Sequence, residues 1–367
     1  MKNTKSILWL ACMLLVFLSC RKEDSFIPEE QEQLPPDPTV ELKGFYLLNE
    51  ANMGSNKSSL DYYDFSSGVY RKNIYNEANP NATLGLGDVG NDIKIYGSRL
   101  YVVVNMSDKV EVLESKTAKR IGQINIPNCR YITFYKNKAY VTAYDGYVSV
   151  VDTTSLKEEK QIVVGKQPEE MAVIGAKLYV ANSGGYNYPN YERTVSVIDL
   201  NTLTEIKRID VAINLHRLKA DQYGDLYVTS RGDYYNIPSN LFVIDTKTDQ
   251  IKKTFNLAAS NIAIHNDEAY LYSVEWNNNT GSNAISYAKI NVKDETIINK
   301  NFITDGTDKS IVIPYGIAVN PVNNDVYVTD ARDYVSPGIL YCFDKKGKKK
   351  FSVTTGDIPA HLVFLNK

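Results

Sequence analysis

Cysteine, tryptophan and histidine are all scarce in this 367-residue chain, with four, two and three copies. Cys12 and Cys20 lie near the N-terminus, so only Cys129 and Cys342 remain for the body of the chain. Two cysteines so far apart make neither a disulfide framework nor a zinc cluster. An excess of one charge is missing too: 41 basic side chains face 43 acidic ones, a formal net charge of −2. That balance excludes the basic footprint of a nucleic-acid-binding protein. No G-x-S-x-G nucleophile elbow is present. GLGDVG at 85–90 matches G-x-G-x-x-G, but no strand signal precedes it and no helical period follows, so it reads as a turn. His265 closes the alternating run IAIH and reads as structural, while His216 and His361 fall near loops. No carboxylate–histidine spacing marks a metal site.

Tyrosine is what the chain has in quantity, with 27 copies. Aromatic and β-branched enrichment favours strands. At the N-terminus, Lys2 and Lys5 precede the uncharged run Ile7–Leu18, which is too short to span a bilayer and has signal-peptide proportions. Leu18-Ser19-Cys20 resembles a bacterial lipoprotein box, with Phe17 where the common pattern has Leu. The resemblance implies that 1–19 is a removed signal and Cys20 the lipidated first residue. The Arg21-Lys22-Glu23-Asp24 run resembles the surface-export signal of Bacteroidota lipoproteins. Residues 20–40 are acidic, Pro-rich and poor in large apolar groups, which predicts a flexible tether ahead of one domain at 41–367.

That domain is a repeat. Seven segments place apolar residues after a tyrosine: FYLLNE, LYVVVN, AYVTAY, LYVANS, LYVTSR, AYLYSV and VYVTDA. The tyrosines, Tyr46, Tyr101, Tyr140, Tyr179, Tyr227, Tyr270 and Tyr327, recur every 39–57 residues. The next strand often ends in Asp, as in VSVVD, VSVID and LFVID; a third alternating strand follows, and a fourth leads into the next tyrosine. The arithmetic predicts an all-β, seven-bladed β-propeller with four-stranded antiparallel blades. The first unit lacks an inner strand, and HLVFLNK at the C-terminus is an inner strand without a successor. The C-terminal strand is therefore expected to join the first blade and close the ring, removing an open edge.

The stretch YVANSGG…TVSVIDLNTLTEIKRIDV carries a resemblance to the YncE-like seven-bladed propellers, which extends over residues 44–367. The fold follows from that resemblance, but function does not, because propellers host many chemistries.

In such blades the loops between second and third strands share a face with the loops entering the inner strand. Here those loops hold the insertions and the aromatic residues, while the opposite turns are short. Candidate ligand-binding residues on the first set are Tyr186, Tyr188, Tyr191, Arg231, Tyr234, Tyr235, Trp276, Asn277, Arg332 and Tyr334. The second set adds Asn91, Asp92, Arg130, His216, Arg217, Tyr315 and His361. Aromatic faces with Arg and Asn donors suit a broad, mostly neutral ligand rich in amides. A small anion suits them poorly, since Asp92, Glu170, Asp233 and Asp333 intermix with the arginines.

The lipid-anchor signals, seven blades and tyrosine-rich face together resemble the Bacteroidota BtuG-type vitamin B12-binding proteins. That resemblance implies cobalamin as bound ligand, with an outer-membrane TonB-dependent B12 transporter as partner. It also implies a lipid-anchored, cell-surface position on the outer membrane, and no enzymatic role or catalytic cofactor. A glycan-binding surface lipoprotein and a propeller lyase or hydrolase are the alternatives. The scarcity of tryptophan weighs against a sugar platform.

Overall fold

The computed structural model describes residues 31–37, 41–277 and 280–367. The signal segment 1–19 and Cys20 lie outside the described residues. Seven antiparallel sheets follow one another along the chain. Their inner strands are Pro359–Asn366, Gly90–Tyr96, Cys129–Tyr135, Pro168–Ile174, Leu215–Ala220, Asn261–His265 and Pro314–Val319, in blades one to seven. Neighbouring inner strands touch around a closed circuit. The C-terminal strand pairs with Leu42–Asn49, setting Phe364 opposite Phe45, and so completes the first blade.

The repeated tyrosine has a physical role. All seven are at most 3 % exposed, each packed between its own blade and a neighbour. The hydroxyls of Tyr46, Tyr179 and Tyr227 donate to the carbonyls of Ser115, Thr246 and Val292, each in the following blade. One side chain thus supplies apolar area and a bond between blades. The recurrent Asp is a turn device: Asp64, Asp152, Asp199, Asp245 and Asp344 each accept the backbone N–H two residues on.

Two features differ from the sequence expectation. A short helix, Ile74–Ala78, packs Ile74 and Tyr75 into the core between the first two blades. Part of the segment expected to be a tether also takes part in the fold. Gln31–Gln33 pairs with Val69–Arg71 as a fifth, outermost strand of the first blade. Leu34 is buried behind it, and Asp37 accepts from Asn323 and Lys350 of the seventh blade. The docking is close: a Cβ at Gly68, where φ is +73°, would lie 2.3 Å from the Leu34 carbonyl oxygen. The outer strand Val69–Arg71 is only three residues long, and this segment covers its open edge.

Candidate functional site

The site is built by a repeated irregularity. In six blades the register between the inner strand and the tyrosine strand slips near the start of the inner strand. Such bulges re-aim side chains. The slips fall at Asn91, at Arg130 and Tyr131, at Glu169 and Glu170, at His216 and Arg217, at Tyr315 and Gly316, and at Ala360 beside His361. In three blades a threonine of the facing strand satisfies the freed backbone donor. Thr142 accepts from Tyr131, Thr229 from Arg217 and Thr329 from Gly316, at 3.0, 3.0 and 2.6 Å. Gly316 is needed for close approach, because a Cβ there would sit 2.2 Å from the Ala360 carbonyl oxygen of the next inner strand.

The bulges open into one cavity of about 720 Å³, within the ~300–1,000 Å³ common for ligand sites. Asn91, Arg130, Tyr131, His216, Arg217, Tyr315 and His361 form its inner part. The blade-five loop contributes Arg231, Tyr234, Tyr235 and Ile237, and the blade-seven loop contributes Tyr334. Blade six makes a wall of another kind. Its strands Glu268–Asn277 and Ser282–Asn291 are ten residues each, longer than their counterparts in the neighbouring blades five and seven. Alternate residues Tyr272, Val274 and Trp276 share one face of that ribbon and line the cavity. Trp276, Tyr234 and Tyr235 are 62 %, 63 % and 70 % exposed, so three large rings stand open to solvent here.

Hydrogen bonds hold the inner part rigid. The Glu169 carboxylate lies between Arg130 and Arg231, at 3.3 and 3.0 Å, and accepts the Tyr144 hydroxyl at 2.6 Å. Arg217 donates to the Tyr131 hydroxyl at 2.8 Å, and the same oxygen lies 3.2 Å from His216 Nε2. Tyr315 donates to Glu50 at 2.7 Å, while its backbone oxygen accepts from Tyr272. The Arg130 guanidinium stacks over Tyr144, 4.4 Å from the ring centre.

Electrostatics follow from this packing. Burial pushes the Glu169 carboxyl up, but the Arg130 and Arg231 guanidiniums and the Tyr144 hydroxyl outweigh it and hold it below its ordinary value. Burial raises Glu50, against the opposing Tyr315 hydrogen bond and the pull of Arg130 and Arg217. Burial, then Arg231, Arg217 and Arg130, drives His216 well below the ordinary imidazole value. Burial, Arg217 and Lys94 do the same for His361, so its 3.9 Å approach to Asp92 joins a neutral ring to a carboxylate. Both imidazoles are neutral at pH 7.

Not every residue singled out from the sequence faces the cavity. Asp92 is buried in the wall between inner strands, accepting the Ile93 and Ile132 N–H groups. Arg332 turns back onto its own loop, donating to the Pro337 carbonyl. Tyr186, Tyr188 and Tyr191 form an outer cluster: Tyr186 lies edge-on to Tyr144, and Tyr188 sits 6.0 Å from Tyr191 and 5.9 Å from Tyr235. Asn277 ends its strand, and its side chain lies outside the described residues. The cavity adds Glu50, Tyr131, Tyr272 and Val274. The alternation Tyr272-x-Val274-x-Trp276 is a sequence signal that could have found two of these. Tyr131 depended on a bulge, and Glu50 on ring closure. Among the described residues no three His, Cys, Asp or Glu side chains converge to hold a metal ion.

No curated protein matches the chain. Solved structures similar to it are propellers of mixed function. One is a quinonprotein alcohol dehydrogenase-like protein of Bacteroides thetaiotaomicron, 16 % identical, covering 88 % of this chain and 78 % of its own, with a TM-score of 0.63. Another is Kuenenia stuttgartiensis hydrazine synthase, 17 % identical, with 70 % and 76 % covered and a TM-score of 0.58. A third, the Neurospora crassa Pan2 WD40 domain, is 13 % identical, with 75 % and 81 % covered and a TM-score of 0.55. At these identities the likeness is one of fold. The family model that matches residues 43–365 is the domain of unknown function DUF5074, and the chain belongs to that family.

Proposed function

We propose that this propeller is a binding protein that captures a corrinoid such as cobalamin in its axial cavity. One observation carries the reading: exposed aromatic rings from neighbouring blades converge on a single cavity whose inner part is rigid and rich in hydrogen-bond donors. A corrin is broad, flat and edged with amides. Tyr235 and Trp276, which line the cavity, would cover its faces, and Asn91 and Tyr334 would meet its edge groups. A preorganised pocket lowers the ordering cost of binding. Anchored through a lipid on Cys20 at the cell surface, the protein would pass its ligand to an outer-membrane TonB-dependent transporter. The exposed apolar side chains Met53, Leu84, Met106, Val312 and Val335, all in loops of the same class as those around the cavity, support a docking role for that face.

The test is a titration with cyanocobalamin, followed by its visible absorption and by calorimetry. A saturable one-to-one signal is expected, and Trp276→Ala or Tyr235→Ala should each weaken binding about tenfold. A flat titration at micromolar protein, or full affinity in the Tyr235→Ala/Trp276→Ala double variant, would reject the reading. Binding to a polysaccharide panel with no corrinoid signal would replace it with the glycan alternative.

A further inference from the structure

We infer that the inner end of the cavity is an oxyanion subsite centred on Arg217, which receives a phosphate or carboxylate group of the bound ligand. In assigning that group to the ligand, the inference rests on the corrinoid reading of the same cavity. The subsite itself stands on charge placement.

Arg130, Arg217 and Arg231 all line the cavity. The Glu169 carboxylate is shared between the guanidiniums of Arg130 and Arg231. Among the described residues no carboxylate lies within ion-pair distance of the Arg217 guanidinium. Arg217 is 7 % exposed, its guanidinium donates to the Tyr131 hydroxyl, and its Nε is buried without a partner among the described residues. A buried guanidinium charge without a bonded carboxylate is costly unless something compensates it. Arginine's planar fork matches oxyanions bidentately.

The acids that intermix with arginines in the sequence act on Arg217 through space, Glu170 first among them, but bond to other groups. Asp92 is held by Lys94 and the Ile132 N–H. Glu170 is held by Lys219 and the Leu218 N–H. Asp233 and Asp333 are turned into their own loops, accepting from Tyr235, Asn236 and Ile237 and from Val335 and Ser336. Two further acids line the cavity: Glu50 accepts the Tyr315 hydroxyl, and Glu275 accepts the Ser239 hydroxyl and N–H. On this reading the mixed charge of the sequence does not disfavour an anion here, because the acids bond to other donors and Arg217 is left without a bonded carboxylate. Burial first, and then nearby cations that include Arg217, depress the basicity of His216 and His361 beside it.

The experiment has two arms. In the first, wild-type protein is titrated with inorganic phosphate and with acetate, each against chloride at matched ionic strength, and thermal stability is recorded. Phosphate or acetate should stabilise the protein beyond chloride, and whichever is stronger names the group. Arg217→Gln should abolish that increment, with an Arg217→Lys variant keeping part of it as a control for folding. An increment no larger than chloride's in wild type, or one unchanged in Arg217→Gln, overturns the subsite. In the second arm, cobalamin is compared with cobinamide, which lacks the phosphate-bearing tail. Wild type should prefer cobalamin by about tenfold or more, as a charge-assisted hydrogen bond supplies, and Arg217→Gln should lose that preference. An equal preference in wild type and Arg217→Gln overturns the ligand assignment. If neither corrinoid binds, the corrinoid reading fails while the first arm still decides the subsite.

Discussion

Single side chains divide into those that hold the ring and those that face the cavity, and substitutions should separate them. Tyr227→Phe removes a buried hydroxyl that bonds the Val292 carbonyl at 3.1 Å. It should cost about 1 kcal/mol in urea denaturation and leave binding unchanged. Tyr235→Phe, on an open rim, should cost less than about 0.5 kcal/mol. The two axial histidines set a pH dependence. Their folded values lie well below 6.5, so the unfolded chain binds more protons as the pH falls through that value. Their contribution is complete above pH 6.5 and is lost on acidification toward the folded values. Glu169 adds a second loss below its ordinary value of 4.5, because its folded value is depressed. Unfolding free energy should decline from pH 7 to 5 in wild type and decline less in His216→Asn/His361→Asn. An equal slope in both would show that the imidazoles are not the groups responsible.

Strands and loops act through bulges and extensions. Thr229 satisfies the N–H that the fifth-blade bulge frees at Arg217. Thr229→Val should therefore cost about 1–3 kcal/mol and weaken ligand binding, although Thr229 is not among the cavity-lining residues. A stability loss without a binding loss would mean that the bulge does not aim His216 and Arg217. The Y-V-T pattern in AYVTAY, LYVTSR and VYVTDA is visible in the sequence. Its meaning was not, because a strand's alternation says nothing about where register slips. The blade-six ribbon shows the converse. Its period of two runs through Tyr272, Val274 and Trp276, and the structure keeps that period all the way to the cavity.

The ring as a whole depends on its two ends. Truncation before Pro359 removes the inner strand of the first blade together with His361. It exposes the edge of Leu42–Asn49, whose residues Phe45, Leu47 and Leu48 are fully buried. Such a chain should be insoluble or lose cooperative unfolding, as light scattering and circular dichroism would show. The docked segment 31–37 makes a gentler case. A chain starting at residue 41 loses the Leu34 packing and the Asp37–Lys350 contact. It should unfold a few degrees lower, for about 2 kcal/mol. Equal melting temperatures for chains starting at 31 and 41 would show that the fifth strand contributes nothing.

Periodicity made the blades, their number and the closing strand legible, because each depends on local alternation and on a tyrosine that recurs wherever one blade must bind the next. It also placed the long, aromatic loops together, since loop length and composition are local properties. Pairing lay beyond its reach. Asp92 and Arg332 were indistinguishable in the chain from residues that face the cavity, and Glu50 looked ordinary. Which acid meets which base, and which side chain a bulge turns inward, depends on contacts between residues tens or hundreds of positions apart. Those contacts exist only once the ring has closed.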